Sequence, residues 1–126
     1  MEKKIMIVDD EPALVKIARI VLEMEDFSVT EAYSGEECII KLNDGAAPDL
    51  ILLDINLSKM DGYSVFKKIR EDTKYRDVKI IFFSNLGLPE DVKKGLDLGA
   101  DDFITKPFNV FEIVDAVKKV IQKRIF

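Results

Sequence analysis

A chain of 126 residues, 48% hydrophobic and 34% charged, has the size and composition of one folded domain rather than a disordered tail. Its net charge of −5, with acids and bases interspersed, argues against a nucleic-acid-binding face, which calls for clustered positive charge. The single cysteine, Cys38, excludes an internal disulfide or a cysteine zinc site, and the absence of histidine removes the commonest general base and metal ligand. No apolar run approaches the ~20 residues of a membrane span, and the N-terminal run closes in acids, unlike a signal peptide. A cytoplasmic protein without membrane contact is expected.

The elements follow in chain order. Residues 5–8 are apolar throughout, as in a parallel strand covered on both faces, and run straight into Asp9, Asp10 and Glu11. Pro12 suits the first turn of a helix with an apolar face of Leu14, Ile17, Ala18, Val21 and Leu22. Residues 27–32 form the second strand. Ser34 and Glu37 then make a capping box ahead of a helix carrying Cys38, Ile39 and Leu42. The third strand, 50–53, delivers Asp54. Asp61 caps a helix with Val65, Phe66 and Ile69 inward. The fourth strand, 80–83, delivers Ser84.

Pro89 opens a helix with Val92 and Leu96 inward, ended by Gly99. A shorter strand around Phe103 and Ile104 leads to Lys106. Asn109 with Glu112 starts the last helix, buried through Val110, Ile113, Val114, Val117, Val120 and Ile121. Lys118, Lys119, Lys123 and Arg124 near its end suit the helix dipole. Five β-α units with short connections predict an α/β domain over 1–126, an open, doubly wound, five-stranded parallel sheet.

In such sheets ligands bind beyond the carboxyl ends of the strands. Asp9, Asp10, Asp54, Ser84 and Lys106 all stand there, each within a residue or two of its apolar run. One acid after a strand is ordinarily a cap or turn residue. Three carboxylates in one pocket are different, because they repel and push one another's pKa upward. A divalent cation and an ammonium relieve that repulsion. Oxygen-only ligands, few in number, point to Mg²⁺.

The segments "VDDEP", "LLDINLSKMDG", "FFSNLG" and "GADDFITKPF", in this order, closely resemble the receiver domain of two-component response regulators, of chemotaxis type. The resemblance covers essentially the whole chain. It implies a (βα)5 flavodoxin-like fold and a signalling protein, not an enzyme, that assists its own phosphorylation and dephosphorylation. Asp54 would be the phosphoacceptor, taking its phosphoryl group from a phosphohistidine of a sensor histidine kinase or phosphotransfer protein. Asp10 would bind Mg²⁺ directly, Asp9 mainly through water, and Asn56 through its backbone carbonyl. Lys106 would pair with the acceptor and then the phosphoryl group, aimed by a cis bond to Pro107. Ser84 would be the switch hydroxyl and Phe103 the switch aromatic, together remodelling the face of the fourth helix, fifth strand and fifth helix where a target or output domain docks. No output domain is expected within these 126 residues, which would be either a stand-alone regulator or the receiver of a longer protein.

Two positions, Asn85 and Ser58, depart from the family pattern, and Phe103 matches its switch aromatic without a hydroxyl. Asn85 stands where a small residue is usual and would narrow access for small phosphodonors, slowing them. Ser58 replaces a common proline. Three rival readings remain. An electron carrier of the flavodoxin kind would need a phosphate cradle where the acids stand, and a dehalogenase-like phosphohydrolase would need a second acid where Asn56 stands. A phosphorylation-independent pseudo-receiver usually lacks the acceptor, the lysine or an acid, and none is lacking here.

Overall fold

The computed structural model describes residues 2–84, 89–106 and 109–122. The apolar runs form β1 (Lys4–Val8), β2 (Ser28–Ala32), β3 (Leu50–Asp54), β4 (Lys79–Ser84) and β5 (Asp102–Thr105). They make one five-stranded sheet in the order β2-β1-β3-β4-β5, parallel throughout. The helices are α1 (Pro12–Met24), α2 (Gly35–Asn43), α3 (Gly62–Glu71), α4 (Pro89–Asp97) and α5 (Val110–Gln122).

Strand alternation explains why the central strands are apolar at every position. Ile5 and Ile7 of β1, Leu50 and Leu52 of β3, and Ile81 and Phe83 of β4 face α1 and α5. Met6, Val8, Ile51, Leu53, Ile80 and Phe82 face the opposite core with α2 and α3. Both faces are dry, so a polar residue inside these strands would have no water to meet. Polar chemistry is therefore pushed to the strand ends.

The caps form largely as the sequence predicts. Ser34 Oγ accepts from the Glu37 amide at 3.0 Å, Asp61 Oδ1 from the Ser64 amide at 3.0 Å, and Asn109 Oδ1 from the Glu112 amide at 3.0 Å. The return bond of the first box goes elsewhere: Glu37 accepts from the Tyr33 amide, one residue before the cap. Gly99 ends α4's last turn with φ of +108°, a conformation that suits glycine. A 3-10 turn at Thr73–Tyr75, capped by Asp72, has no counterpart in the sequence reading. Tyr75 there donates its hydroxyl to the Leu42 carbonyl and so ties the turn to α2.

Two inward assignments are corrected. On α1 the buried stripe is Val15, Ala18 and Leu22, and Ile17 is 49% exposed, in line with Ile20 and Met24 on the outer side. A periodicity with apolar residues on both sides of a helix does not say which side meets the sheet. On α4 the inward residue is Gly95, and Leu96 is 44% exposed. The helix lies directly on two aromatic rings: a Cβ at position 95 would stand 2.9 Å from a Phe103 ring carbon and 3.1 Å from one of Phe82. Only glycine allows that approach, which turns Leu96 outward.

Candidate functional site

The strand order reverses between β1 and β3, and that is where the acids gather. β1 and β3 run in register through Val8 and Leu53, so the residues that follow, Asp9 and Asp54, emerge side by side. Asp10 follows on the exposed rim, whereas Asp9 is 0% and Asp54 2% exposed. One carboxylate oxygen from each of the three lies within 4.8 Å of the others, close enough for all three to bind one ion.

The segment after Asp54 folds tightly back over it. The Ile55 amide donates to the Phe83 carbonyl at 3.2 Å, and the Gly62 amide closes on the Ile55 carbonyl at 2.9 Å. A Cβ on Gly62 would clash with the Asp54 carbonyl oxygen and stand 2.7 Å from Ile55 Cα. Glycine is thus required where α3 starts against the back of the acidic residue.

Lys106 enters from the end of β5, its amide bonded to the Ser84 carbonyl at 2.7 Å. Its Nζ donates to Asp9 Oδ2 at 3.0 Å and lies 3.6 Å from both Asp54 Oδ2 and Glu11 Oε1. The ammonium also stands 5.1 Å from the centre of the Phe83 ring. The expected pairing with Asp54 is thus shared, and the shorter contact is with Asp9. Asp9 is occupied on its other oxygen too, accepting from the Glu11 amide at 2.9 Å. Glu11 and Phe83 received no role from the sequence; Glu11 stood in the acidic run, and nothing in an apolar strand marked Phe83.

Asn56 connects two parts of the rim. Its amide donates to Asp54 Oδ1 at 3.0 Å, and its side-chain Oδ1 accepts from Ser84 Oγ at 2.6 Å. Ser84 is fully buried. Phe103 is half-buried, its ring against Gly95 and 6.4 Å from the Phe82 ring centre. Ser58 is exposed on the loop that follows Asn56. Asn85 and Pro107, to which the sequence reading gave an access role and a cis bond, lie outside the described residues.

Burial dominates the electrostatics of Asp54, whose pKa is pushed up to about 6. The Asn56 amide opposes the rise, the Asp9 charge adds to it, Lys106 lowers it and Asp10 raises it. Burial alone would lower the Lys106 pKa. The hydrogen bond to Asp9 and the charges of Asp54, Asp9 and Glu11 outweigh it and hold the ammonium above the ordinary lysine range. An acid whose pKa is raised by burial and by neighbouring carboxylates, with a lysine beside it, is a functional-site candidate. By contrast Cys38, buried against apolar neighbours, has its thiol pushed up to about 12 and is inert.

An acid-lined switch point on a 2-1-3-4-5 parallel sheet is the arrangement of the flavodoxin-like receiver fold. The chain belongs to the response regulator receiver domain family, whose model matches residues 5–118. It is 36% identical over 123 residues to the DNA-binding dual master transcriptional regulator RpaA of Synechocystis, covering 95% of this chain and 49% of that protein. It is 35% identical over 123 residues to the phosphate regulon transcriptional regulatory protein PhoB of Escherichia coli, covering 98% of this chain and 53% of that one. The chain thus spans about half the length of these relatives. Its fold matches the BeF3-activated receiver domain of DrrB from Thermotoga maritima with a TM-score of 0.86 and 32% identity, over 98% of this chain and 100% of that one. Among the described residues no helix is long and apolar enough to cross a membrane.

Proposed function

We propose that Asp54 accepts a phosphoryl group from a phosphohistidine of a sensor histidine kinase or phosphotransfer protein, and that the modified domain then presents a changed surface to a target or output domain. The observation that carries this is the convergence of Asp9, Asp10 and Asp54 within 4.8 Å, with the Lys106 ammonium 3.6 Å from Asp54. The donor set is all oxygen, open on the Asp10 side and partly neutralised by one lysine, which fits Mg²⁺ with several retained waters. Asp10, Asp54 and the Asn56 carbonyl would hold the ion directly, and Asp9, bound to Lys106, mainly through water. When bound, Mg²⁺ supplies positive charge against the phosphoryl oxygens.

The chain's own residues do the rest. An Asp54 oxygen attacks phosphorus, the bond from phosphorus to the donor's nitrogen or oxygen breaks, and its electron pair leaves with the donor. Phosphoryl transfer has a loose transition state, so the residues chiefly align it and neutralise charge. Lys106, already in the pocket, moves its ammonium from Asp9 toward the new phosphoryl oxygens. Ser84 donates its hydroxyl to one of those oxygens, and Phe103 turns as its surroundings shift. Moving the active population from ~1% to ~99% needs about 5.5 kcal/mol of differential interaction. The face of α4, β5 and α5, where Leu96 is 44% and Phe111 73% exposed, is suited to dock the target. The domain acts in the cytoplasm as a phosphoacceptor and not as a turnover enzyme, and this domain makes no nucleic-acid contact of its own.

Intact-mass spectrometry after incubation with acetyl phosphate tests the reading. The expected result is one added phosphoryl group that requires Mg²⁺ and is lost in Asp54→Ala. No addition under any condition would overturn it.

A further inference from the structure

Ser84 is fully buried and donates to the side-chain oxygen of Asn56, an exposed residue, at 2.6 Å. The same Asn56 donates its backbone amide to Asp54 Oδ1 at 3.0 Å. One residue thus holds the acidic residue with its main chain and the rim hydroxyl with its side chain. A serine hydroxyl has a single proton to give. While that proton is donated to Asn56 Oδ1, it is withheld from any phosphoryl oxygen on Asp54.

We infer that the Asn56 side chain is a latch: it holds Ser84 in the resting arrangement, and the bond must break before Ser84 can engage a phosphoryl group. The inference rests on the reading of Asp54 as acceptor and Ser84 as switch. Asn56 is a positioning residue in this scheme, acting through Ser84 and not on phosphorus. Its backbone bond to Asp54 supplies the coupling. When Asp54 Oδ1 loses charge on forming the acyl phosphate, the Asn56 amide loses its charged acceptor and the loop carrying the latch is freed to shift.

The latch opposes activation, so its removal favours the phosphorylation-competent arrangement. Asn56→Leu keeps the bulk of the side chain and removes the acceptor, and because residue 56 is exposed the fold tolerates it. One ordinary hydrogen bond corresponds to roughly a fivefold change in an equilibrium.

The test is a double-mutant cycle on the rate of acetyl phosphate labelling, read by intact mass for wild type, Asn56→Leu, Ser84→Ala and the double variant, with urea midpoints measured beside it. Asn56→Leu is expected to label roughly fivefold faster than wild type, and the same change is expected to have no effect in the Ser84→Ala background. A similar acceleration in both backgrounds would mean that Asn56 merely obstructs the donor, and would overturn the latch. So would an unchanged or slower rate in the single variant. A wild type that takes no phosphoryl group would overturn the proposed function itself, and the latch with it; labelled wild type with additive effects removes the latch alone.

Discussion

Lys106 is bound first to Asp9 and only second to Asp54: its ammonium lies 3.0 Å from the Asp9 carboxylate and 3.6 Å from that of Asp54. Asp9 is fully buried and Lys106 nearly so, the side chains being 0% and 9% exposed. The resting site therefore has its cation parked on the acid of β1. Both partners are already out of water, so moving the ammonium toward Asp54 costs little further desolvation.

Removing that cation strands a buried carboxylate. Lys106→Met is expected to lower unfolding free energy by about 3 kcal/mol at pH 7, measured by urea denaturation. Added Mg²⁺ should return part of the loss by neutralising the same acids. The wild-type pair has its own pH signature. The folded protein holds the Lys106 proton more tightly than the unfolded chain does. Its contribution is therefore fully present below the ordinary lysine pKa and is lost as pH rises through the higher folded value. Lys106→Met should lack that alkaline loss.

Asp54 gives a dependence of the same sign, in the acid range. Its pKa is raised from 3.8 to about 6 in the fold, so the folded state binds a proton that the unfolded chain has released. The destabilisation is absent below pH ~4, grows as pH rises, and is complete above pH ~6. Asp54→Asn keeps the shape and the bond from the Asn56 amide but carries no charge. It is expected to be more stable than the metal-free wild type at pH 7.5, by on the order of 3 kcal/mol, and about equal to it at pH 4. Urea midpoints at the two pH values decide the matter.

A bound ion should stabilise the wild type by mass action, raising Tm with the logarithm of Mg²⁺ concentration above Kd. Asp10 is exposed and makes no contact with Lys106 that meets ion-pair distance, so Asp10→Asn should leave the metal-free Tm within about a degree or two. It should largely abolish the Mg²⁺-dependent rise. Differential scanning fluorimetry across a Mg²⁺ titration measures both.

Gly62 is held against the backbone of Asp54 and Ile55, where an added Cβ would stand 2.7 Å from Ile55 Cα. The obstacle is main chain and cannot swing aside. Gly62→Ala is expected to cost about 2 kcal/mol and to slow acetyl phosphate labelling by displacing Asp54. Gly45→Ala is the control: nothing lies within 4 Å of its Cβ, and its φ of +92° predicts a loss of about 1 kcal/mol with labelling unchanged.

The sheet and the site rim were legible in the sequence because both depend on residue type at fixed places. Uninterrupted apolar runs such as 50–53 demand two covered faces, and the acids that close them must then share one edge. Which side of α1 and α4 turns inward was not legible. Ile17 and Val15 are equally apolar, and the outcome on α4 depends on Phe82 and Phe103 rings brought beneath Gly95 from distant parts of the chain. In the site, residue identity marked Asp9, Asp10, Asp54, Ser84 and Lys106 as neighbours. It did not reveal that Lys106 rests on Asp9, or that the side chain of Asn56 bonds Ser84, because those choices are made by side-chain geometry a few ångströms across.

The central claim concerns one atom of one residue, and borohydride trapping addresses it directly. Reduction of an aspartyl phosphate converts that aspartate to homoserine, a permanent record that peptide sequencing by mass spectrometry can place. Wild type treated with acetyl phosphate and Mg²⁺ should yield homoserine at position 54 and at neither 9 nor 10. Homoserine at Asp9 or Asp10, or none anywhere in protein shown to be folded and Mg²⁺-bound, would contradict the assignment of Asp54 as the phosphoacceptor.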